Sequence, residues 1–172
     1  MEILLRPWSR DDIRELAALA NNKNIWNNLR DRLPYPYNVK HAEDFISFCK
    51  HQKPQQVFAI QYGKNLAGSV GLELKEDVYK CTAEIGYWIG EPYWGKGIAS
   101  EAVRQIVQYG FDSFSQVVRI YAEVFEFNLA SMKVLEKNGF NLESIRKRAV
   151  IKNEKILSDY VWVKFRDGKS EF

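Results

Sequence analysis

A glycine-flanked loop, Trp94-Gly95-Lys96-Gly97-Ile98-Ala99, separates two regular segments in the middle of the sequence. Before it, residues 82–89 read as an apolar strand that Gly90-Glu91-Pro92 ends. After it, residues 97–114 carry apolar side chains at steps of four, which predicts a long helix. Glycines permit a tight turn with outward-facing amides, and the helix start adds unpaired N–H groups and a positive dipole end. The loop therefore predicts a site for an anion such as a pyrophosphate.

Other interpretations of this loop are a plain surface turn or one of two better-known phosphate loops. A Walker loop needs Ser or Thr after its lysine, whereas Gly97 follows Lys96. A dinucleotide fingerprint needs Gly or Ala where this chain has Ser100, and no βαβαβ pattern surrounds it. If the loop does bind an anion, the small Ala99 lets that anion approach the first helical turn, and Lys96 adds charge at the rim.

The remaining segments predict one mixed α/β domain over residues 1–172, since no repeat or linker interrupts them. Predicted strands span residues 2–6, 57–62, 66–74, 82–89, 118–125, 140–150 and 156–165. Predicted helices span residues 9–20, 40–51, 97–114 and 128–138, with a short one inside 22–40.

Charge and composition argue against several other classes of protein. The net charge of +3 is mild and the basic residues are scattered, so we expect no nucleic-acid partner. The two cysteines, Cys49 and Cys81, and the two histidines, His41 and His51, form no ligand-like cluster, so we expect no metal. No segment is long and apolar enough to span a membrane, and the N-terminus does not resemble a signal peptide. We therefore expect a cytoplasmic monomer or homodimer.

Two blocks of sequence resemble the GNAT superfamily of acyl-CoA N-acyltransferases. The first runs from Ala83 through the loop to Ala102, and the second is the NxxS…GF pattern from Asn128 to Phe140. The opening Leu5-Arg6-Pro7-Trp8 and the late Ser158-Asp159-Tyr160 also fit, so the resemblance covers nearly the whole chain. Trp94 stands where the superfamily pattern has Gln or Arg, which is similar to the RimJ/RimL branch of ribosomal-protein N-terminal acetyltransferases.

The resemblance implies a GNAT fold, a mixed and mostly antiparallel sheet of about seven strands, splayed in the middle and flanked by helices. It implies acetyl-CoA as co-substrate, with the pantetheine arm pairing with backbone near Trp88 and an N–H near Ile89 polarising the thioester. Asn128 would fix its helix and hydrogen-bond the pantetheine arm. The implied cofactor-binding residues are Trp88, Ile89, Trp94, Gly95, Lys96, Gly97, Ile98, Ala99, Asn128 and Ser131.

Two residues are candidates for catalysis. Glu84 lies on the strand before the loop and would act as the base that deprotonates the amine; the alternative is a solvated strand carboxylate. Many superfamily members place a Tyr that protonates the thiolate where this chain has Leu135. Ser131, which the RimJ/RimL branch also has, would take that role; the alternative is an ordinary helix serine.

The favoured function is acetyl transfer from acetyl-CoA to a primary amine, by direct attack in a ternary complex. The acceptor would be a protein N-terminus or a small-molecule amine. The alternative is a non-catalytic acetyl-CoA-binding sensor of the same fold, and a nucleotide-binding protein fits less well. The fold alone does not select among amines.

Overall fold

Five α-helices and seven strands form most of residues 2–166, the part of the chain that the computed structural model describes. The strands are β1 (Ile3–Arg6), β2 (Val57–Tyr62), β3 (Asn65–Leu74), β4 (Thr82–Ile89), β5 (Arg119–Phe125), β6 (Asn141–Lys152) and β7 (Lys155–Phe165). The helices are α1 (Ile13–Ala20), α2 (Lys23–Trp26), α3 (Val39–His51), α4 (Ile98–Ser113) and α5 (Leu129–Lys137). No helix within this range is both long and apolar enough to cross a membrane.

The seven strands have the order β1-β2-β3-β4-β5-β7-β6, which confirms the predicted mixed sheet. The pairs β1–β2, β2–β3, β5–β7 and β6–β7 are antiparallel. The parallel pair is β4–β5, joined from Thr82↔Arg119 to Glu84↔Tyr121, the first three residues of each strand. A short parallel junction of this kind is what the predicted splay requires.

Contacts divide the described chain into two compact units. The first unit comprises residues 2–71 and 87–102, and the second comprises residues 72–86 and 103–166. The prediction of a single domain stays a prediction.

The core of the first unit lies between α1, α3 and the sheet. The Trp8 ring meets Phe45 edge-on, with ring centroids 5.4 Å apart. The buried residues that pack together in this core are Trp8, Leu16, Ala17, Ala20, Tyr37, Ala42, Ile46, Cys49, Ala59 and Leu66. Helix α3 begins at Val39 because Asn38 and His41 bond reciprocally, the Asn38 side chain accepting from the His41 N–H.

The core of the second unit lies between α4 and β5. Side chains alternate along β5, because Ile120, Ala122 and Val124 are buried while the residues between them are half-buried. On α4, Val103, Ile106, Val107 and Phe111 of this unit are buried as well. A Cβ on Gly110 would lie 3.3 Å from the Ile120 side chain, so this helix lies against β5. On the hairpin of β6 and β7, Arg146 makes a bidentate ion pair with the buried Asp159 and a second pair with Glu123 at 2.8 Å.

The 3-10 turn that leads into α1 ends at Asp12, whose carboxylate is buried. Asp12 accepts two hydrogen bonds from the Arg6 guanidinium, at 2.7 and 2.8 Å, and one from the backbone N–H of Ser9 at 2.8 Å. Burial raises the pKa of Asp12, but these bonds and the charge of Arg6 outweigh it, so the net pKa is lowered.

We expect Asp12→Asn to cost about 2 kcal/mol of unfolding free energy at neutral pH, because it removes the ion pair with Arg6. A lowered folded-state pKa stabilises the fold above the unfolded value of about 3.9, and this stabilisation is lost as the pH falls through the folded-state value. Urea titrations at several pH values should therefore show the difference between wild type and variant closing in acid. Asp11→Asn, which changes an exposed neighbour, is the control.

Candidate functional site

The glycine loop has the geometry predicted for it. A 3-10 turn at Glu91–Tyr93 follows β4, and α4 begins directly after Gly97. Gly95 and Gly97 have φ angles of +73° and +76°, the left-handed region that other residues rarely adopt. A Cβ added at either glycine would meet no atom within 4 Å, so the backbone angle and not crowding demands glycine here.

The loop presents backbone amides at the amino end of a 16-residue helix. The N–H of Glu101 donates to the carbonyl of Gly97 at 3.2 Å. The amides of Gly97, Ile98 and Ala99 precede that bond and belong to the first turn, where the helix supplies no internal acceptor. With the helix dipole and the open space beside both glycines, this end of α4 fits an anionic phosphate group.

Trp94 connects the loop to the strand before it. Its indole N–H donates to the carbonyl oxygen of Ile89 at 2.7 Å, while 47% of the residue stays exposed. The Trp94 side chain thus makes a polar contact with the end of β4.

Lys96 turns back onto its own segment. Its ammonium donates to the carbonyl of Pro92 at 3.0 Å and lies 5.3 Å from the ring centroid of Tyr93 and 5.9 Å from that of Tyr62. This arrangement fixes the side chain by a cation–π contact and a hydrogen bond. The role of Lys96 as a rim charge stays a prediction.

The end of β4 lies tightly against β3. A Cβ on Gly68 would lie 2.2 Å from the carbonyl oxygen of Trp88. The N–H of Gly90 donates to the carbonyl oxygen of Ala67 at 2.8 Å. Trp88 packs against the core of the first unit, and Ile89 is buried. Trp88, Ile89 and the glycine loop are therefore consecutive parts of one unit.

Glu84 belongs to the second unit and is buried, not solvated. Its carboxylate accepts from Lys75 Nζ at 3.0 Å and from the Tyr121 hydroxyl at 3.1 Å. Burial raises the pKa of Tyr121, and the charge of Glu84 adds to this effect. For Lys75, burial lowers the pKa, but hydrogen bonds to Glu73 and Glu84 outweigh it and the net shift is upward.

The sequence analysis did not identify Lys75 and Tyr121 as partners of Glu84. The signal for Tyr121 was present, because the alternation of β5 places it on the face opposite the core. Lys75 follows β3, and no sequence pattern indicates that it contacts Glu84, because only the fold brings the two residues together. Both side chains also line a cleft of about 400 Å³ together with Glu76, Tyr79, Thr82 and Arg119.

Asn128 and Ser131 also lie in the second unit, at the start of α5. The Asn128 side chain accepts from the Ser131 N–H at 3.2 Å, so Asn128 caps the helix, as the resemblance implied. Ser131 is half-buried. Leu135 is fully buried, so the position that carries a tyrosine in other members here belongs to the core.

Residues 2–166 contain no group of three or more His, Cys, Asp or Glu side chains arranged to hold a metal ion.

Comparison with known proteins gives one family model that covers most of the chain. Residues 2–141 match the model described as acetyltransferase (GNAT) domain. The chain is 48% identical over 69 residues to the probable N-acetyltransferase YjcK of Bacillus subtilis, which is 40% of this chain and 38% of that protein. Three relatives are 48%, 46% and 37% identical to the chain over the matched segment. That segment covers only 35% to 50% of the length of each relative.

Longer matches have lower identity. The ribosomal-protein-serine acetyltransferase of Escherichia coli is 28% identical over 152 residues, 85% of this chain and 83% of that protein. The microcin C7 self-immunity acetyltransferase MccE, solved with acetyl-CoA and AMP, has a TM-score of 0.83 and is 26% identical, over 95% of this chain and 92% of that one.

Proposed function

Because the chain belongs to the GNAT acetyltransferase family, we propose that it transfers an acetyl group from acetyl-CoA to a primary amine by direct attack in a ternary complex. The observation that carries the proposal is the glycine loop, which has two left-handed glycines and open amides at the start of α4. The thioester of acetyl-CoA supplies the activated acetyl group. We place the protein in the cytoplasm, where acetyl-CoA is available.

The first unit would bind the phosphate end of the donor. The amides from Gly95 to Ala99 would hold the pyrophosphate, and the backbone at Trp88 and Ile89 would pair with the pantetheine arm in the manner of an added strand. An N–H of this segment would stabilise the negative charge that develops on the thioester oxygen as the amine attacks.

Glu84 and Ser131 are the groups that we propose to move protons. Lys75 and Tyr121 hold the Glu84 carboxylate in one orientation, which suits a group that accepts a proton directly or through water. The hydroxyl of Ser131 would donate to the departing thiolate. Asn128 fixes the helix turn that carries Ser131 and would also hydrogen-bond the pantetheine arm.

Ligand-dependent melting tests the donor. Saturating acetyl-CoA should raise the melting temperature by about 5–10 °C, whereas ATP and NAD should not. A shift with ATP or NAD alone would refute the donor. Release of free thiol from acetyl-CoA over a panel of Ser-initiated peptides, polyamines, amino acids and aminoglycosides then identifies the acceptor. A thermal shift without thiol release from any amine would favour the sensor alternative.

Glu84→Gln should lower kcat/KM by about two orders of magnitude, because the amide cannot accept the proton. Glu73→Gln is the matched control, since it breaks the other Lys75 ion pair on an exposed side chain. An unchanged kcat/KM in Glu84→Gln would exclude Glu84 as the base.

Ser131→Ala should lower kcat by about tenfold or more while changing the affinity for acetyl-CoA less than threefold, because a leaving-group donor acts mainly in the transition state. Ser113→Ala, at the exposed end of α4, should behave like wild type. A rise in the dissociation constant at constant kcat would assign Ser131 to binding only.

A further inference from the structure

The carbonyl group of Ile89 points away from β3. The N–H of Gly90 donates to Ala67 on β3, and the carbonyl of Trp88 lies where a Cβ of Gly68 would be, also at β3. In an extended strand, peptide groups of neighbouring residues point to alternate edges. The N–H and the carbonyl of Ile89 therefore share the edge of β4 that faces away from β3.

Trp94 engages one of these two groups. Its indole N–H bonds the Ile89 carbonyl at 2.7 Å, and the same bond closes the segment from Ile89 to Trp94 into a ring. Within that ring, the N–H of Tyr93 donates to Gly90 at 2.9 Å and the N–H of Trp94 donates to Glu91 at 3.2 Å. The direction in which the glycine loop leaves the strand is thus fixed by a side chain of the loop itself.

We propose that Trp94 is a positioning residue whose indole N–H both anchors the glycine loop and neutralises the Ile89 carbonyl beside the reacting thioester. This inference rests on the proposed function. A carbonyl dipole left without a donor would face the negative charge that builds up on the thioester oxygen, which is unfavourable in a poorly solvated site. With the indole bound to it, the neighbouring N–H groups act without an opposing acceptor.

The geometry also accounts for the residue types that the superfamily pattern has at this position. In glutamine and arginine, the first side-chain nitrogen that carries a hydrogen is as many bonds from Cα as the indole nitrogen is in tryptophan. All three side chains can therefore present an N–H at the same reach. The hydrogen bond of its indole nitrogen, and not burial of its ring, then explains why a tryptophan stands at this exposed position.

Three variants of the full chain test the proposal. Trp94→Phe keeps a ring and removes the donor, and Trp94→Gln restores a donor without the ring. Trp26→Phe is the matched control, because the Trp26 indole also donates to a backbone carbonyl, that of Leu33 at 3.0 Å, within the same unit. The measurements are the dissociation constants of acetyl-CoA and of CoA by calorimetry, and the infrared carbonyl stretch of bound acetyl-CoA.

Trp94→Phe should weaken both ligands by about tenfold, and the thioester stretch should shift toward its value in water. Trp94→Gln should recover most of the affinity and of the spectral shift, and Trp26→Phe should match wild type in both. Equal binding and equal spectra in wild type and Trp94→Phe would overturn the inference while leaving the proposed function intact. Failure of the wild-type protein to bind acetyl-CoA would instead overturn the proposed function.

Discussion

Gly68→Ala is expected to destabilise the protein by about 3 kcal/mol and to weaken acetyl-CoA binding at least tenfold. The new Cβ would lie 2.2 Å from the carbonyl oxygen of Trp88 and 3.0 Å from the Cα of Ile89. Both are backbone atoms of β4, so no side-chain rotation relieves the clash and the strand itself has to move. The proposed pantetheine-pairing segment would move with it. Thermal unfolding and calorimetry of acetyl-CoA binding measure the two effects.

Gly86→Ala is the matched control for this prediction. Gly68 lies on β3 and Gly86 on β4, and a Cβ on Gly86 would meet no atom within 4 Å. Its stability should stay within about 0.5 kcal/mol of wild type. If the two alanine variants unfold at the same temperature, the close approach of β3 and β4 at Gly68 does not exist in solution.

Gly97→Ala is expected to raise the dissociation constant of acetyl-CoA at least tenfold while costing only about 1–2 kcal/mol of stability. The φ angle of +76° at Gly97 suits glycine, and an alanine relieves its strain by turning the adjacent peptide. That rotation takes an amide of the loop away from the anion. Calorimetry with acetyl-CoA and urea unfolding of the unliganded protein separate the two effects.

Gly97→Asn distinguishes backbone angle from bulk. Asparagine is larger than alanine but adopts left-handed angles more readily. If the angle decides, the Asn variant should bind acetyl-CoA more tightly than the Ala variant. The reverse order would show that the open space beside Gly97, and not its φ angle, is what the cofactor needs.

The parts of this molecule that the sequence predicted are those with a local signal. The periodicity of residues 97–114 and the glycines of the loop are readable because a helix and a turn depend on near neighbours. The predicted helix over residues 128–138 is one residue shorter at each end in the structure, and the reason at its start is Asn128. Its side chain caps α5, so the residue stands before the helix and not within it.

The parts that were missed depend on contacts between distant segments. No sequence pattern near Gly68 predicts that the backbone of Trp88 lies so close to it. Glu84 was recognised as a chemical group, but its bond with Tyr121 depends on the parallel junction of β4 and β5, and Lys75 reaches it from the end of β3. The hydrogen bond of the Trp94 indole likewise has no signal in the sequence, although its two partners lie only five residues apart.

The bonds that shape the glycine loop have a consequence for the entropy of binding. Trp94 bonds to Ile89 and Lys96 bonds to Pro92, so the loop is held by residues of its own short segment. The loss of conformational freedom in this segment therefore occurs when the chain folds and not when a ligand arrives. An anion that binds here meets amides already oriented toward it, which lowers the ordering cost of association.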